Sequence, residues 1–507
     1  MVEAATSTMD KLTRGSVLAR NTVWNLVGHV VPLVVAIFAI PLLIKGLGTD
    51  RFGVLTLAWV VIGYFSLFDL GLARALTQLV SKKLGAGQDQ EIQALIWTAL
   101  FLMLVLGLAG TLVMSLFSPW LIQEMLNIPE ALQSETLYSF YLLAVSVPVI
   151  ISTAGMQGVL KAYQRFGLLN AVRIPMGVFI FLGPLLVLPF SQNLLLLVSV
   201  LLVGLLISWV VHLPLCFCVI PALRHRIAIK GALVGPLLRF GSWMTVTNIV
   251  GPLMLYLDRF LIGALGSMTA VAYYTTPYEV VTKIGLVTGA LVGVLFPAFS
   301  SSFAYHRSCT ERLFNQGVRY IFLGLFPITL FIVAFAKNGL DFWLGAEFAQ
   351  NSTSVLQWLA VGVFINSLAQ VAFALIQGAG RPDLTAKLHL LELPFYLLGV
   401  YWLISAYGIE GAAIAWVARI GIDMICLFGM VNWFLPTSRS ILRRRILTMG
   451  VTLLTLPLAA LPLSFGMKGL FLLMTLTAFA LASWFLILTP EERTLIGNRF
   501  KGIQMSN

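Results

Sequence analysis

The sequence predicts an all-α polytopic membrane protein, and three observations support that fold class. Hydrophobic residues make up 59% of the 507 positions and charged residues only 10%, against about 25% charged residues in soluble domains. The mean hydropathy is +0.95. These values exclude a soluble globular enzyme, a disordered chain and a coiled coil. The apolar runs also far exceed the roughly 10 alternating residues of a barrel strand, so the spans are predicted to be helical.

About 14 transmembrane helices are predicted, because each apolar run is near or above the roughly 20 residues that a bilayer requires. The first six lie at 20–47, 51–80, 92–118, 136–160, 168–189 and 194–218. The next six lie at 236–264, 268–300, 312–336, 353–378, 384–406 and 411–434, and the last two at 446–464 and 468–488. The first run is too long for the apolar region of a cleavable signal peptide, so we expect it to remain as a span.

These spans divide the chain into six predicted parts. They are a cytoplasmic N-terminal segment (1–19), an N-terminal six-helix bundle (20–218), a cytoplasmic basic linker (219–235), a C-terminal six-helix bundle (236–434), a basic loop with two extra transmembrane helices (435–488) and a cytoplasmic tail (489–507).

The loop charges predict the orientation. Of the 32 Lys and Arg residues, 24 fall in or near the two terminal segments and alternate loops, four in or near the other loops, and the remaining four are assigned to span interiors. Because cytoplasmic loops of membrane proteins are enriched in Lys and Arg, we expect both termini in the cytoplasm and an even number of spans. The net charge of +12 then reflects topology, and no nucleic-acid partner is predicted. The four scattered cysteines indicate neither a disulfide framework nor a metal site.

An internal repeat relates the two predicted bundles. The segment 42–48 resembles 260–266 at an offset of 218 residues, and Pro175 matches Pro394 at 219. Two further anchors recur at an offset of 220: Pro32 with Pro252, and Gln157-Gly158 with Gln377-Gly378. Six spans separate equivalent points, so the bundles should be related by a pseudo-two-fold axis along the membrane normal. Two such bundles are typical of alternating-access transporters.

Several of these residues also give the chain a family likeness. The motifs are Ile40-Pro41-Leu42, Leu47-Gly48-Thr49-Asp50-Arg51-Phe52-Gly53, Phe68-Asp69-Leu70-Gly71-Leu72, Leu257-Asp258-Arg259-Phe260-Leu261-Ile262-Gly263, Ala272-Tyr273-Tyr274, Leu295-Phe296-Pro297-Ala298 and the two Gln-Gly pairs. In their order and spacing they resemble the polysaccharide-transporter branch of the multidrug/oligosaccharidyl-lipid/polysaccharide exporter superfamily.

The resemblance implies a bacterial inner-membrane flippase for lipid-linked oligosaccharide, with two six-helix bundles around a central cavity. It implies no enzymatic activity. The expected partners are the lipid-linked oligosaccharide, membrane lipids, and the glycan polymerase and glycosyltransferases of the same pathway. Three alternatives stay open: a multidrug or cation antiporter, a peptidoglycan-precursor lipid flippase, and an integral-membrane glycan enzyme such as a polymerase.

Charged residues inside spans are the candidate site residues, since charge in hydrocarbon is costly and usually faces a cavity or a partner. A diphosphate would be held by guanidinium and ammonium groups, and the candidates assigned to span interiors are Arg74, Arg259, Lys283 and Arg419. The carboxylates Asp69, Asp258, Glu279 and Asp423 are candidates for coupling to Na⁺ or H⁺, with Glu392, His389 and His29 as further candidates. Spacing of four residues predicts Glu279/Lys283 and Arg419/Asp423 pairs, which could equally be structural.

The glycan would need aromatic and amide contacts in a hydrated cleft. The candidates are Trp24, Asn25, Asn248, Tyr256 and Tyr278, together with Trp243, Tyr273, Tyr274, Asn366 and Gln370. No G-x-x-x-x-G-K-[ST] loop occurs, so we expect no nucleotide cofactor and assign the energy source to an ion gradient.

Overall fold

The structure is a computed structural model that describes residues 15–65, 69–125, 128–224, 227–265, 268–303, 306–435, 454–461, 464–488 and 493. Within these ranges every regular element is helical and no strand occurs. The helices are α1 (Gly15–Phe65), α2 (Leu72–Gly85), α3 (Asp89–Trp120), α4 (Glu130–Ala162), α5 (Phe166–Val187), α6 (Leu194–Val219), α7 (Val234–Leu265), α8 (Met268–Thr282), α9 (Gly285–Ser302), α10 (Arg307–Leu344), α11 (Ala346–Gly378), α12 (Pro382–Phe434), α13 (Thr455–Ala459) and α14 (Phe465–Ala482).

Two long helices change direction at a glycine. Gly48 in α1 has φ +77°, and Gly408 in α12 has φ +58°, values that glycine adopts at little cost. At 53 residues, α12 would measure about 80 Å if straight, more than twice the roughly 30 Å hydrocarbon thickness. It therefore contains two predicted spans, 384–406 and 411–434, on either side of Gly408.

Two other predicted spans are each built from two helices. The predicted span 51–80 contains the end of α1 and most of α2, and the predicted span 268–300 contains α8 and α9. Before α2, Leu70 and Gly71 have φ values of +50° and +69°, and this left-handed turn starts a new helix. Hydropathy alone does not report such breaks, which explains why the sequence predicted continuous spans.

Ten of the described helices are long and apolar enough to cross a membrane. Because α12 contains two predicted spans and two others are divided between shorter helices, this number is compatible with about 14 spans. Most of the predicted span 446–464, the basic loop before it and the cytoplasmic tail lie outside the described residues. Many exposed side chains on the long helices are large and apolar, for example Phe38, Leu116 and Phe395, as expected of helices that face lipid.

Contacts divide the chain into two compact units. The first comprises the described residues up to Pro252 together with Gly289–Thr310 and Ala374–His389. The second comprises Leu253–Thr288, Glu311–Phe373 and the described residues from Leu390 onward. The predicted bundle boundaries, 20–218 and 236–434, stay a prediction about the sequence repeat, because the contacts follow a different division.

Each unit has its own apolar core. In the first unit, α1 packs on α4 and α6 through the buried side chains of Leu43, Leu55, Phe140 and Leu197. In the second unit, four phenylalanines from α10, α11 and α14 pack together: Phe322, Phe326, Phe364 and Phe479. The ring centroids of Phe326 and Phe479 are 4.6 Å apart. Close aromatic pairs of this kind are typical of a well-packed interior.

The glycines of the repeated Gln-Gly pairs have similar packing roles. A Cβ atom on Gly158 would lie 2.8 Å from the carbonyl oxygen of Ala73 in α2, and one on Gly378 would lie 3.0 Å from Cβ of Phe299 in α9. Both glycines therefore let a long helix approach a shorter one closely. The repeat found in the sequence thus marks two equivalent close contacts, one in each half of the chain.

Within the first unit, amide side chains of the first half contact carbonyl groups of the second half. Asn25 donates to the carbonyl of Ala290 at 3.1 Å, Gln164 to that of Val294 at 3.1 Å, and Gln78 to that of Gly378 at 3.3 Å. These six residues are called the basic-end seal below, because they lie near the loops rich in Lys and Arg. The predicted cytoplasmic ends of both sequence halves are therefore packed together.

Candidate functional site

A charged cluster joins α7 to α8 in the second unit. Arg259 Nη2 lies 3.0 Å from Glu279 Oε1, and Lys283 Nζ lies 3.3 Å from Glu279 Oε2. One carboxylate therefore bridges two cations. The side chains of Glu279 and Lys283 are 50% and 64% exposed, whereas that of Arg259 is only 18% exposed. The predicted Glu279/Lys283 pair is thus confirmed, and Lys283 lies where α8 ends.

Asp258, the residue before Arg259, is a buried carboxylate that accepts hydrogen bonds from two groups of the same cluster. Its Oδ1 accepts a hydrogen bond from the backbone N–H of Arg259 at 2.8 Å, and its Oδ2 accepts one from the Tyr274 hydroxyl at 2.5 Å. Asp258 is completely buried, so these two donors satisfy a carboxylate that would otherwise be costly to bury. Asp258 and Arg259 point to different partners, as expected of adjacent residues in a helix.

Aromatic rings orient the Arg259 guanidinium. Its central carbon lies 4.8 Å from the centroid of the Tyr278 ring, within the range of a cation–π interaction. The Tyr278 ring stacks on Tyr274 at 6.2 Å and meets Trp416 edge-on at 5.8 Å. We call Asp258, Arg259, Tyr274, Tyr278, Glu279 and Lys283 the charged cluster. Its geometry fixes one arginine and leaves a bridging carboxylate partly exposed.

A second group of charges lies on α12, with the two carboxylates on either side of Gly408. Arg419 Nη1 is 3.6 Å from Glu392 Oε2 and 3.8 Å from the sulfur of Met254, and its guanidinium lies 5.3 Å from the Tyr396 ring centroid. Oxygen atoms of Glu392 and Asp423 lie within 4.8 Å of each other, and both residues are buried. Glu392 and Asp423 are called the carboxylate pair below.

The ion pair of Arg419 differs from the simplest prediction. Spacing of four residues predicted Arg419 with Asp423, but the structure places the Arg419 guanidinium against Glu392, with Asp423 beside Glu392. The kink at Gly408 brings Glu392, from the first half of α12, next to residues of the second half. His389, one helical turn before Glu392, is also buried.

Two predicted site residues, Asp69 and Arg74, lie in the first unit. The Asp69 carboxylate accepts hydrogen bonds from the backbone N–H groups of Gly71 and Ala73, both at 2.8 Å. These bonds satisfy donors at the start of α2 that have no partner within the helix. The contacts of Asp69 therefore favour a capping role. Arg74 follows on the same helix with an exposed side chain.

The predicted glycan contacts are spread over both units. Asn25 belongs to the basic-end seal and also accepts a hydrogen bond from Arg173 at 3.1 Å, while Trp24 beside it is 45% exposed. Asn248 is half-buried on α7. Tyr278 is buried beneath Arg259, and the side chain of Tyr256 lies outside the described residues. The structure therefore brings Tyr278 to the charged cluster and places Trp24 and Asn25 elsewhere.

Sequence reasoning missed Tyr396 and Trp416. Tyr396 lies four residues after Glu392, and Trp416 lies three residues before Arg419, spacings that place each on the same helix face as its charged neighbour. An aromatic residue one turn from a charge within a span is a signal that could have identified both.

Comparisons with known proteins agree with this architecture. The family model described as "Polysaccharide biosynthesis protein" matches residues 18–303. A Shigella flexneri protein named "Putative O-antigen transporter" is 30% identical over 415 residues, which cover 81% of this chain and 96% of that protein.

Two solved structures have a similar fold. One is an outward-facing multidrug resistance MATE family transporter of the MOP superfamily, with a TM-score of 0.71 and 15% identity over 87% of this chain and 98% of that one. The other is a MOP superfamily transporter from Pyrococcus furiosus, described by the reverse polarity of its binding pocket, with a TM-score of 0.70, 15% identity and the same coverage. At these identities the likeness concerns the fold.

The apolar helices and these structural neighbours define a multi-pass membrane protein with the fold of MOP superfamily transporters. Within that class, the chain belongs to the polysaccharide biosynthesis protein family.

Proposed function

We propose that this protein is a flippase that moves a polyprenyl-diphosphate-linked oligosaccharide repeat unit, of O-antigen or exopolysaccharide type, to the outer leaflet of the bacterial inner membrane. Its family and its Shigella flexneri relative, named as an O-antigen transporter, support this substrate class. In this proposal the basic loops and both termini face the cytoplasm. Lipid-linked oligosaccharide and membrane lipids are the partners, and pathway enzymes that build or polymerise the glycan act before or after transport.

The bridging carboxylate of Glu279 is the observation on which the site proposal depends. Each of its two oxygens pairs with one cation, Arg259 or Lys283, so a single anionic group bridges both. The Glu279 side chain is half-exposed. A diphosphate ester offers more acceptor oxygens and more charge than one carboxylate, and arginine pairs with phosphate in a bidentate geometry. The substrate diphosphate would therefore displace Glu279 from the two cations, while the Tyr278 ring keeps Arg259 in place.

Arg419 and Arg74 have different places in this proposal. Arg419 is already paired with the carboxylate pair, so it would bind the substrate only after Glu392 is neutralised by a proton or a cation. Arg74 is exposed on α2 in the first unit and would contact the substrate at another stage of its passage. The glycan would contact accessible aromatic and amide groups, such as the exposed Trp24 and the half-buried Asn248.

Ion coupling is assigned to the carboxylate pair in preference to Asp69 and Asp258. Both oxygens of Asp69 and both of Asp258 accept well-formed hydrogen bonds within the protein. Glu392 and Asp423 are two buried carboxylates whose oxygen atoms lie within 4.8 Å of each other and of a His389 ring nitrogen, and Arg419 lies 3.6 Å from Glu392. Two like charges in an apolar setting disfavour full ionisation, so such a pair tends to take up H⁺ or a cation such as Na⁺.

The conformational cycle proposed here is alternating access. The basic-end seal would open to admit the diphosphate and glycan from the cytoplasm while the lipid tail stays in the bilayer. Binding of substrate at the charged cluster would then favour resealing, and an ion taken up by the carboxylate pair would set the direction of the cycle.

The test uses purified full-length protein in proteoliposomes that contain a fluorescent polyprenyl-diphosphate oligosaccharide. A membrane-impermeant sugar-modifying enzyme reports how much of the substrate becomes exposed, with and without H⁺ or Na⁺ gradients. We expect protein-dependent exposure that one gradient accelerates, and Glu392→Gln should keep basal exposure but lose the acceleration. Glu410→Gln is a matched control, since Glu410 lies on α12 but bonds to Ser354 and Trp358.

Other outcomes would contradict the proposal. Efflux of an ethidium-type cation without exposure of the glycan would identify a drug antiporter. Exposure of a peptidoglycan precursor but not of the oligosaccharide would identify the protein as a peptidoglycan-precursor lipid flippase. An unchanged gradient response in Glu392→Gln would remove the carboxylate pair from the coupling mechanism.

A further inference from the structure

A basic pocket lies within the first unit. It is a cavity of about 820 Å³ lined by the ends of three helices, α2, α7 and α12. Four of its lining residues are cationic and one is a carboxylate: Lys82, Arg239, Arg381, Lys387 and Asp383. The formal charge of the lining side chains is therefore strongly positive in a cavity large enough for more than one phosphoryl group.

The single carboxylate cannot neutralise these cations. Arg381 donates two hydrogen bonds to Asp383, at 2.9 and 3.0 Å, and Lys387 lies 3.8 Å from the same carboxylate. The bond to Asp383 raises the pKa of Arg381. Lys82 and Arg239 form no ion pair with any residue that the structure describes. Two cations therefore remain without an anionic partner at the pocket.

Backbone groups add to the positive potential. Gly235 and Pro236 belong to the first turn of α7, and Pro382 and Asp383 to the first turn of α12, and all four line the pocket. A helix N-terminus carries the positive end of the helix dipole, while the prolines at these two ends contribute no N–H group. Phosphate groups bind readily at such ends, and here two of them lie at one cavity beside unpaired cations.

A topological role explains the charges but not their convergence. Loop lysines and arginines that only fix orientation can lie anywhere near the membrane surface. These four come from three regions far apart in sequence, and Lys387 is also held over the Trp243 ring at 5.4 Å. Nearby basic residues do not line the pocket: Lys83 pairs with Glu91 in another direction, and Arg224 contacts the sulfur of Cys218.

We propose that the basic pocket binds the diphosphate group of the lipid-linked substrate at the predicted cytoplasmic end, before the substrate reaches the charged cluster. This inference rests on the proposed flippase function. Gln78, a residue of the basic-end seal, lines the pocket together with Gly380. A diphosphate bound in the pocket would therefore lie next to the contacts that must open for transport. Because Gln78 lines the pocket and also bonds to the Gly378 carbonyl in the seal, bound diphosphate would also stabilise the sealed state.

The test measures equilibrium binding to full-length protein in phosphatidylcholine nanodiscs by isothermal titration calorimetry. The probes are farnesyl diphosphate, inorganic diphosphate and farnesol. We expect a diphosphate-dependent site at the basic pocket, in addition to the one proposed at the charged cluster, with farnesyl diphosphate bound more tightly than inorganic diphosphate and no binding of farnesol. Lys82→Gln combined with Arg239→Gln should weaken binding of both diphosphates about tenfold or more, because charge-assisted hydrogen bonds are lost.

Matched variants separate the pocket from general surface charge and from folding defects. Lys83→Gln with Arg224→Gln removes the same charge outside the pocket and should bind like the wild type. Lys82→Arg with Arg239→Lys keeps the charge and should retain most of the affinity. Equal weakening by the two Gln pairs, or no effect of Lys82→Gln with Arg239→Gln, would overturn the proposal.

Two further comparisons identify which phosphate-containing molecule the pocket binds. Equal affinity for inorganic and farnesyl diphosphate would assign the pocket to a soluble anion, and loss of binding in nanodiscs rich in phosphatidylglycerol would assign it to a phospholipid headgroup. Either result would overturn the substrate assignment. Normal flipping with wild-type binding in the pocket variant would reject the pocket alone, whereas diphosphate binding without any flipping would reject the proposed function alone.

Discussion

The basic-end seal and the charged cluster hold their helices together by different chemistry. The seal uses neutral amides that donate to backbone carbonyls, such as Gln164 to Val294. The charged cluster uses ion pairs supported by buried aromatic rings, such as Arg259 with Glu279 over Tyr278. Each neutral hydrogen bond contributes about 1 kcal/mol net, whereas leaving a buried charge without its partner costs about 3–5 kcal/mol.

This difference suits two different tasks. A carbonyl oxygen inside a helix has a second lone pair, so Ala290 and Val294 can release their amide donors without losing helical hydrogen bonds. The seal can therefore open and re-form at low cost. The charged cluster lies entirely within the second unit, so in the proposed cycle it stays intact while the seal changes.

The largest expected effect is in the charged cluster. Arg259→Gln should lower the rate of glycan exposure in proteoliposomes about 100-fold, equivalent to about 3 kcal/mol, because Glu279 loses its main cation and the diphosphate loses its fixed arginine. Arg224→Gln, an exposed arginine outside both regions, is the control. Wild-type rates for Arg259→Gln at equal protein abundance would disprove the site assignment, as would wild-type export after charge reversal at Arg259 or Arg419.

The next effect tests whether closure of the basic end is needed. A Cβ on Gly85 would lie 2.2 Å from the carbonyl oxygen of Ser301, a backbone atom that cannot move away cheaply. Gly85→Ala should therefore separate α2 from α9, speed hydrogen exchange in both helices and lower transport about tenfold. Gly289→Ala meets nothing within 4 Å and should behave like the wild type. Unchanged exchange in Gly85→Ala would show that the contact is dispensable.

A smaller effect should follow from loss of one seal hydrogen bond. Gln78→Ala removes the bond to the Gly378 carbonyl and should shift the equilibrium toward the open basic end about fivefold, equivalent to about 1 kcal/mol. Hydrogen exchange at the end of α11 measures this shift. A larger change than that caused by Gly85→Ala would mean that polar contacts, and not close packing, dominate the seal.

The smallest effect is expected at the exposed edge of the charged cluster. Lys283 is 64% exposed where it pairs with Glu279, and exposed ion pairs contribute about 0–1 kcal/mol. Lys283→Gln should therefore slow glycan exposure by about threefold or less, mainly through a higher KM for the lipid-linked substrate. A loss as large as that of Arg259→Gln would make Lys283 the principal phosphate ligand and reverse the order of the two cations.

Sequence spacing correctly predicted one ion pair whose partners lie on the same helix face. The Glu279/Lys283 pair follows from four-residue spacing on one helix face, and the structure has that pair at 3.3 Å. The Arg419/Asp423 spacing is equally regular, but Arg419 pairs with Glu392 at 3.6 Å. A long side chain can pair with any group that the tertiary structure places within its reach. The spacing of residues in the sequence does not show which distant groups these are.

The sequence by itself determined the helical membrane fold, the internal repeat and the residues that carry charge inside spans. Hydropathy is a property of neighbouring residues. A sufficiently long apolar segment enters the bilayer as a helix, because no water is present there to bond its backbone groups. Only the tertiary structure decided that Asp69 caps α2, that Tyr278 supports Arg259, and that Lys82, Arg239 and Arg381 line one cavity. Each of these depends on backbone breaks and on contacts between segments distant in sequence, which no local pattern specifies.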